Sequence, residues 1–122
     1  MQKKMKQEVQ NLLRRGIICS STSSYSASIL VVEKKNETIR IYSAPIDLNA
    51  ATIDDRQLLP NIRELMDAIA GAKYYLSWDL ISRFWQIEIE EGDKAKTAFS
   101  TSWRHYEYNV MPFGFKGAPT TF

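Results

Sequence analysis

The chain has 122 residues and a formal net charge of +2, and 44% of its residues are hydrophobic, which suits a folded domain or a part of one. A single cysteine and a single histidine exclude an internal disulfide and a Cys/His zinc site. No apolar run approaches the roughly 20 residues of a membrane helix, and no secretory leader pattern is present, so we expect a soluble, intracellular, cytoplasmic protein without a membrane partner.

The first predicted element is an amphipathic helix over residues 1–15. Apolar residues recur at i, i+4, i+7 and i+8 from Met5, and Gly16 follows a basic last turn, as is typical of a helix end. Seven of the ten residues at positions 19–28 are serine or threonine, which predicts a loop.

A β-hairpin is predicted next. Residues 29–32 form a continuous apolar run rich in β-branched side chains, and residues 38–42 alternate between apolar and polar. The residues that connect them would place Lys34 and Lys35 at the hairpin tip, and Arg40 would lie on the returning strand.

The second half of the chain mixes helical and strand patterns. Residues 62–69 predict a helix that follows Pro60 and is closed by Gly71. Residues 73–80 alternate as a strand, with Trp78 on the buried face and Asp79 on the other. Shorter strands are predicted at positions 86–90, 97–100 and 106–110, and a loop rich in proline and glycine then enters a helix near Ala118. Because the elements lack βαβ regularity, the sequence predicts an α+β fold.

Two groups of polar residues could carry chemistry. Asp79, near the end of its predicted strand, could offer a carboxylate oxygen to Mg²⁺, although two-metal phosphoryl transfer needs a second, firmly held acid. Lys34, Lys35 and Arg40 could bind phosphate, the lysines as point charges and the arginine bidentately. An acid that ends a strand and a solvated basic turn are the ordinary alternatives. His105 has no partner at motif spacing and is expected at the surface.

The charges are unevenly distributed along the chain. Residues 1–40 hold eight basic and three acidic residues, a net +5, whereas residues 41–122 hold eight basic and eleven acidic residues, a net −3. This division could reflect a surface that binds polyanions beside a carboxylate site, or simply two solvated faces of different sign.

A set of short motifs in fixed order makes a more specific prediction. They read VQNLLRRGII at 9–18, VVEKKNETIR at 31–40, DLN at 47–49, LP at 59–60, GAKY at 71–74, DL at 79–80, WQI at 85–87, KTAF at 96–99 and YEYNVMPFGFKGAP at 106–119. Together they resemble the fingers and palm of reverse transcriptases, the RNA-directed DNA polymerases of Ty3/Gypsy-type retrotransposons and endogenous retroviral Pol polyproteins. The resemblance implies part of a right-hand polymerase, with a β-hairpin in the fingers and an incomplete antiparallel palm sheet. Residues 1–72 would be mainly fingers-like, and residues 73–122 mainly palm-like.

The resemblance also implies roles for individual residues. Asp79 matches the first catalytic aspartate, which in complete relatives joins two later aspartates to hold Mg²⁺ ions while a deoxynucleotide is added to a primer 3′ end. Arg40 matches a residue that binds the triphosphate. A hairpin lysine matches a second such residue, Lys34 or, in a shifted register, Lys35. The implied partners are an RNA or DNA template with its primer, deoxynucleoside triphosphates, and the thumb, connection and RNase H regions of Pol.

Four further positions are implied to lie around the nucleotide. Leu80 would bring its backbone to the metal or the triphosphate, and Phe84 falls on the aromatic gate that excludes a ribose 2′-hydroxyl. Phe113 and Gly114 match a palm loop beside the nucleotide and the template. Complete relatives of this kind work inside virus-like particles.

The sequence departs from the family pattern at several of these places. Pro45 is expected to interrupt extended structure, Arg83 stands where relatives commonly have glycine, and Glu33 replaces a basic residue beside the hairpin lysines. No Tyr-x-Asp-Asp motif occurs in the 122 residues. We therefore expect these residues alone to be an inactive polymerase fragment with an exposed apolar face and an open sheet edge around Asp79. A degenerate or co-opted, non-catalytic nucleic-acid-binding remnant is the alternative, and an unrelated α+β domain is a third reading.

Overall fold

The computed structural model of the chain describes residues 1–54, 58 and 60–121, and has the mixed α+β character that the sequence predicts. Leu59 of the LP motif lies outside the described residues. The helices are α1 (Gln2–Arg14), α2 (Ile46–Ala51), α3 (Ile62–Ile69), α4 (Glu91–Lys94) and α5 (Ala118–Thr121), with 3₁₀ turns at Arg83–Gln86 and Ala95–Thr97. The strands are β1 (Ile18–Ser20), β2 (Ser28–Glu33), β3 (Ile39–Ala44), β4 (Phe99–Ser100) and β5 (His105–Tyr108). Among these elements, no helix has both the length and the apolar character to cross a membrane.

A three-stranded antiparallel sheet of order β1-β5-β4 forms the centre of the fold. Ile18 pairs with Tyr108 on one side of β5, and Phe99 pairs with Tyr106 on the other. Helix α1 packs onto this sheet through Val9 and other apolar residues that share a core cluster with the sheet. Cys19 and Ser20 of β1 were expected to belong to the serine-rich loop; pairing with β5 overrides the loop propensity of these two residues.

The predicted hairpin is confirmed, with β2 and β3 paired so that Val32 lies opposite Arg40. The Lys34 amide donates to the Thr38 carbonyl at 2.7 Å and closes the turn. Alternate residues of β3, among them Ile41, are buried against the core, whereas Val32 is exposed. The hairpin therefore has one face on the core and one in solvent.

The chain after β3 turns into a helix, contrary to the expectation of extended structure. Pro45 lies at the N-cap of α2, and its carbonyl accepts a hydrogen bond from the Asn49 amide at 2.8 Å. A proline beside a helix start loses nothing by lacking an amide hydrogen, because the first helical amides have no intrahelical partner. The prediction that Pro45 interrupts extended structure is therefore wrong, because Pro45 precedes the first turn of a helix.

The strand predicted at residues 73–80 is absent. The segment has no regular secondary structure, and no described residue pairs with it in either sheet. Trp78 was expected to be buried but is 81% exposed, and Tyr74 is 92% exposed. A strand depends on a hydrogen-bonded neighbour, so the alternating pattern alone cannot form one. Helix α3 is confirmed, and its apolar residues are exposed as well. Residues 62–81 thus expose apolar side chains as predicted, but the open sheet edge predicted around Asp79 is absent because residues 73–80 form no strand.

Smaller differences occur near the sheet. The strand predicted at residues 86–90 is replaced by the Arg83–Gln86 turn and a single bridge between Glu88 and Val110. β4 and β5 are shorter than predicted, and the start of α5 at Ala118 is confirmed. His105 is partly buried rather than at the surface, and its Nδ1 lies 2.7 Å from the hydroxyl oxygen of Ser100.

The loop that follows β5 is fastened to the hairpin and to α2. The Asn49 side-chain amide donates to the Gly114 carbonyl at 2.9 Å, and the Asn49 side-chain oxygen accepts from the Lys116 amide at 2.9 Å. Gly114 has φ of +100°, and a Cβ there would clash with the Ser43 carbonyl oxygen. Only glycine satisfies both the positive φ and this close approach of two backbones.

Amide hydrogen exchange should separate the sheet from residues 74–80. The amides of β5 are flanked on both sides by strands, so residues 106–108 should be strongly protected, whereas residues 74–80 should exchange at rates close to those of unstructured peptides. The measurement is native-state exchange read by NMR or mass spectrometry. Comparable protection of the two segments in a monomer would contradict the structure.

Substitution of Gly114 by alanine should lower the free energy of unfolding by about 1–3 kcal/mol or more, because alanine meets both an unfavourable φ and the Ser43 carbonyl. Two matched substitutions separate the effect of the positive φ from the effect of the contact with the Ser43 carbonyl. Gly16→Ala meets a φ of +71° but open space, and should cost less. Gly92→Ala lies in α4 with open space and should be neutral or slightly stabilising. Equal denaturant midpoints for all three variants would refute the close approach at Gly114.

Candidate functional site

A cleft of about 430 Å³ brings together residues that are distant in the sequence. Five of the eight predicted site residues line it, namely Lys34, Arg40, Asp79, Leu80 and Phe113. They come from the hairpin, from the segment before the Arg83–Gln86 turn and from the loop after β5. The volume lies within the range of ordinary small-ligand sites, about 300–1,000 Å³.

The other three predicted residues lie beside the cleft or away from it. Phe84 packs its ring against that of Phe113, with centroids 5.4 Å apart. Gly114 follows Phe113 directly and is held against β3 as described above. Lys35 is exposed at the hairpin tip and does not line the cleft, so the structure favours Lys34 over Lys35 as the hairpin lysine at this site.

Phe113 is the centre of an aromatic cluster. Its ring lies 6.1 Å from that of Tyr42, 5.4 Å from that of Phe84 and 5.8 Å from that of Trp85, measured between centroids. Edge-to-face and tilted pairs of this kind contribute about 0.5–1.5 kcal/mol each beyond the area they bury. The cluster therefore holds the hairpin, the Arg83–Gln86 turn and the palm-like loop in a fixed relation.

Three arginines lie over rings of this cluster. The guanidinium carbon of Arg40 is 5.3 Å from the centroid of Phe113, that of Arg83 is 5.8 Å from Phe84, and that of Arg15 is 5.1 Å from Trp85. All three arginines line the cleft. Arg40 also donates a hydrogen bond to the Tyr42 hydroxyl at 3.1 Å.

Sequence reasoning missed Arg15, Glu8 and Asn49 as residues of this region. Arg15 and Glu8 line the cleft from α1, which was treated only as an amphipathic helix. Asn49 was part of a matched motif, but its hydrogen bonds to Gly114 and Lys116 depend on the helix that the sequence did not predict. No local pattern could have placed these residues beside Phe113, because the contacts join positions far apart in the chain.

The charge of Glu33, which lies beside the hairpin lysines in the sequence, is paired with a different lysine in the structure. Its carboxylate accepts a hydrogen bond from the Lys4 ammonium at 2.7 Å, and this bond, with the attraction between the two charges, lowers the pKa of Glu33. Glu33 therefore has a cationic partner on α1, and its charge is partly balanced without Lys34 or Lys35.

The carboxylates present do not form a magnesium site. Asp79 and Glu8 are the two acidic residues that line the cleft. Within the described part of the chain, no three residues of the types His, Cys, Asp and Glu lie close enough together to hold a metal ion. Mg²⁺ demands six oxygen ligands in near-ideal octahedral geometry, and the two carboxylates of the cleft leave most of them to water and phosphate. The donor set therefore does not fit the metal by itself.

Comparison with known proteins places this geometry in a family. Residues 32–122 match the family described as "Reverse transcriptase (RNA-dependent DNA polymerase)". The chain is 42% identical over 120 residues to the "Retrovirus-related Pol polyprotein from transposon 297" of Drosophila melanogaster, covering 94% of this chain and 11% of that protein. It is 37% identical over 118 residues to the "Enzymatic polyprotein" of Cestrum yellow leaf curling virus, covering 93% of this chain and 18% of that protein.

Solved structures show the same fold. The foamy viral protease-reverse transcriptase in complex with double-stranded DNA superimposes with a TM-score of 0.80 at 21% identity, covering 99% of this chain and 25% of that one. Its complex with an RNA/DNA hybrid gives a TM-score of 0.77 at 19% identity, covering 98% of this chain and 16% of that one. The chain thus spans a tenth to a quarter of the proteins it matches. The two sequence relatives described above are polyproteins of a transposon and of a virus. The chain belongs to the reverse transcriptase family.

Proposed function

We propose that these residues are the part of an RNA-directed DNA polymerase of the Ty3/Gypsy type that binds the incoming deoxynucleoside triphosphate. The observation that carries the proposal is the cleft, which joins a lysine and an arginine of the hairpin to Asp79, Leu80 and Phe113. Cations beside a carboxylate and aromatic rings are the groups that bind phosphates and a nucleoside in one site. In complete relatives such a site would serve the extension of a primer by phosphoryl transfer.

The proposed roles of the residues are those that the family resemblance implies, and the places of several of them around the cleft support these roles. Arg40 and Lys34 would bind the phosphates, and Arg40 is oriented for this by Phe113 and by its hydrogen bond to Tyr42. Leu80 would present its backbone to the triphosphate. Phe84, whose ring is fixed by Phe113, would exclude a ribose 2′-hydroxyl.

Phe113 and Gly114 would form the wall beside the nucleotide and the template, with Gly114 allowing the close backbone approach. Lys35, at the hairpin tip, would attract nucleic acid over a longer range rather than contact the triphosphate. Asp79 would contribute one of the carboxylates for Mg²⁺ in a complete enzyme. The remaining ligands would have to come from residues other than those described, so no catalytic step is assigned to these 122 residues.

Nucleic acid and the rest of Pol are the proposed partners. The net charge of +5 on residues 1–40 supports binding of a primer paired with an RNA or DNA template. Thumb, connection and RNase H regions would complete the protein. We keep the division into a fingers-like part, residues 1–72, and a palm-like part, residues 73–122, with β1 joining the sheet of the second part.

A second candidate function is a non-catalytic remnant that binds nucleic acid or nucleotides. The observation that favours it is the composition of the cleft, which combines four cationic side chains with a donor set that does not form a metal site. Both candidates predict binding of nucleotides or nucleic acid. They differ for a longer chain that includes further carboxylates: the first candidate predicts that it polymerises deoxynucleotides, and the second predicts that it does not.

Binding of dATP should depend on Arg40. Arg40→Gln should weaken dATP binding by about ten- to a hundredfold, the usual effect of losing a charged hydrogen bond to phosphate. Arg63→Gln, which removes the same charge from α3 away from the cleft, should leave the affinity unchanged. Isothermal titration calorimetry measures both. Equal affinities for the two variants would remove the support for the proposed nucleotide site.

Primer extension by the 122 residues should be absent. In Mg²⁺, with an RNA or DNA template, a labelled primer and deoxynucleoside triphosphates, neither the unmodified chain nor Asp79→Asn should give a longer product, because one carboxylate cannot hold two metal ions. Extension by the unmodified chain that Asp79→Asn abolishes would show that the site is complete without further carboxylates.

A further inference from the structure

Arg83 occupies a position in the cleft that the proposed roles leave unexplained. It begins the 3₁₀ turn that carries Phe84, and its guanidinium lies over the Phe84 ring at 5.8 Å. It lines the same cleft as Arg40 and Asp79.

The three arginines of the cleft all have a guanidinium group over an aromatic ring. Arg15 lies over Trp85, Arg83 lies over Phe84, and Arg40 lies over both Phe113 and Tyr42. The Phe113 ring packs against the other three rings. An aromatic face attracts a guanidinium without neutralising it, and the N–H groups at the edge of the guanidinium can still donate hydrogen bonds. The cluster therefore holds three charged groups in place around one cavity.

These charges lack the ion pairs that usually balance surface arginines. Among the described residues, none of Arg15, Lys34, Arg40 and Arg83 has a carboxylate oxygen within 4.0 Å. Asp79 and Glu8 are the acidic residues of the cleft lining, which leaves an excess of two positive charges. Several fixed like charges around one cavity repel each other, and a bound polyanion would relieve this repulsion.

We propose that Arg83 and Arg15 complete, with Lys34 and Arg40, a site that binds the polyphosphate of a nucleoside triphosphate without a divalent cation. The inference rests on the proposed function, because it concerns the same cleft. Guanidinium groups would here supply the positive charge that a metal ion supplies where several carboxylates hold one.

A free triphosphate fits the geometry better than a nucleic-acid backbone. The four cations surround one cavity of about 430 Å³, which suits a single small ligand. A binding surface for a duplex would instead follow the backbone and carry its cations in a row.

The test is calorimetric titration of the whole 122-residue chain with dATP and with inorganic tripolyphosphate, in EDTA and in Mg²⁺. We expect both ligands to bind in EDTA. The affinity for dATP in EDTA should be within about threefold of its affinity in Mg²⁺. Arg83→Gln and Arg83→Gly should each weaken binding in EDTA by about tenfold, and Arg83→Lys should weaken it less because the charge remains. Binding of dATP only in the presence of Mg²⁺ would overturn the inference.

The controls distinguish this inference from the proposed function. If Arg40→Gln weakens dATP binding but both Arg83→Gln and Arg83→Gly bind as the unmodified chain does, the inference fails and the proposed function stands. If Arg40→Gln also binds normally, the proposed function fails. Thermal melts show whether a variant is folded, and Arg83→Gln keeps the side-chain stem in case glycine disturbs the 3₁₀ turn. Arg83→Gln should weaken the binding of a short DNA duplex no more than Arg63→Gln does. If Arg83→Gln weakens duplex binding more than dATP binding, the inference is overturned.

Discussion

The cleft depends on the packing around one side chain, Phe113. Its ring contacts Tyr42 on the hairpin and both aromatic residues of the Arg83–Gln86 turn, and it lies under the Arg40 guanidinium. The backbone at the next residue is pressed against the Ser43 carbonyl, so the ring cannot move independently of β3. Three segments that are remote in sequence thereby present their charged residues to one cavity.

The prediction of the fold succeeded where neighbouring residues decide the structure. α1, α3 and the β2–β3 hairpin depend on periodicity, turn residues and short connections, and all three are present. Prediction failed where pairing or capping is decided by the rest of the chain. The alternating pattern around Trp78 has no partner strand among the described residues, whereas Cys19 and Ser20, which were expected to lie in a loop, pair with β5.

The same distinction applies to the site. Lys34, Arg40 and Asp79 could be named from motifs, because a motif combines a residue type with a fixed distance to its neighbours. Arg15 could not, because its place over Trp85 results from the packing of α1 on the sheet. Lys34 could be separated from Lys35 only by the geometry of the hairpin turn. The charge division along the sequence, +5 and −3, likewise conceals that Arg83, from the acidic part, lines the same cleft as the basic hairpin.

The cations and the carboxylate of the cleft differ in how firmly they are held. Arg40 and Arg83 are oriented by rings that pack on one another. Asp79 follows a segment that has no regular secondary structure and exposes Trp78 and Tyr74, so its backbone is supported mainly from the side of the Arg83–Gln86 turn. Preorganised cations suffice for binding phosphate, whereas phosphoryl transfer also needs carboxylates fixed to a fraction of an ångström. Because only the first requirement is met within the described residues, the proposed nucleotide binding would not depend on catalysis.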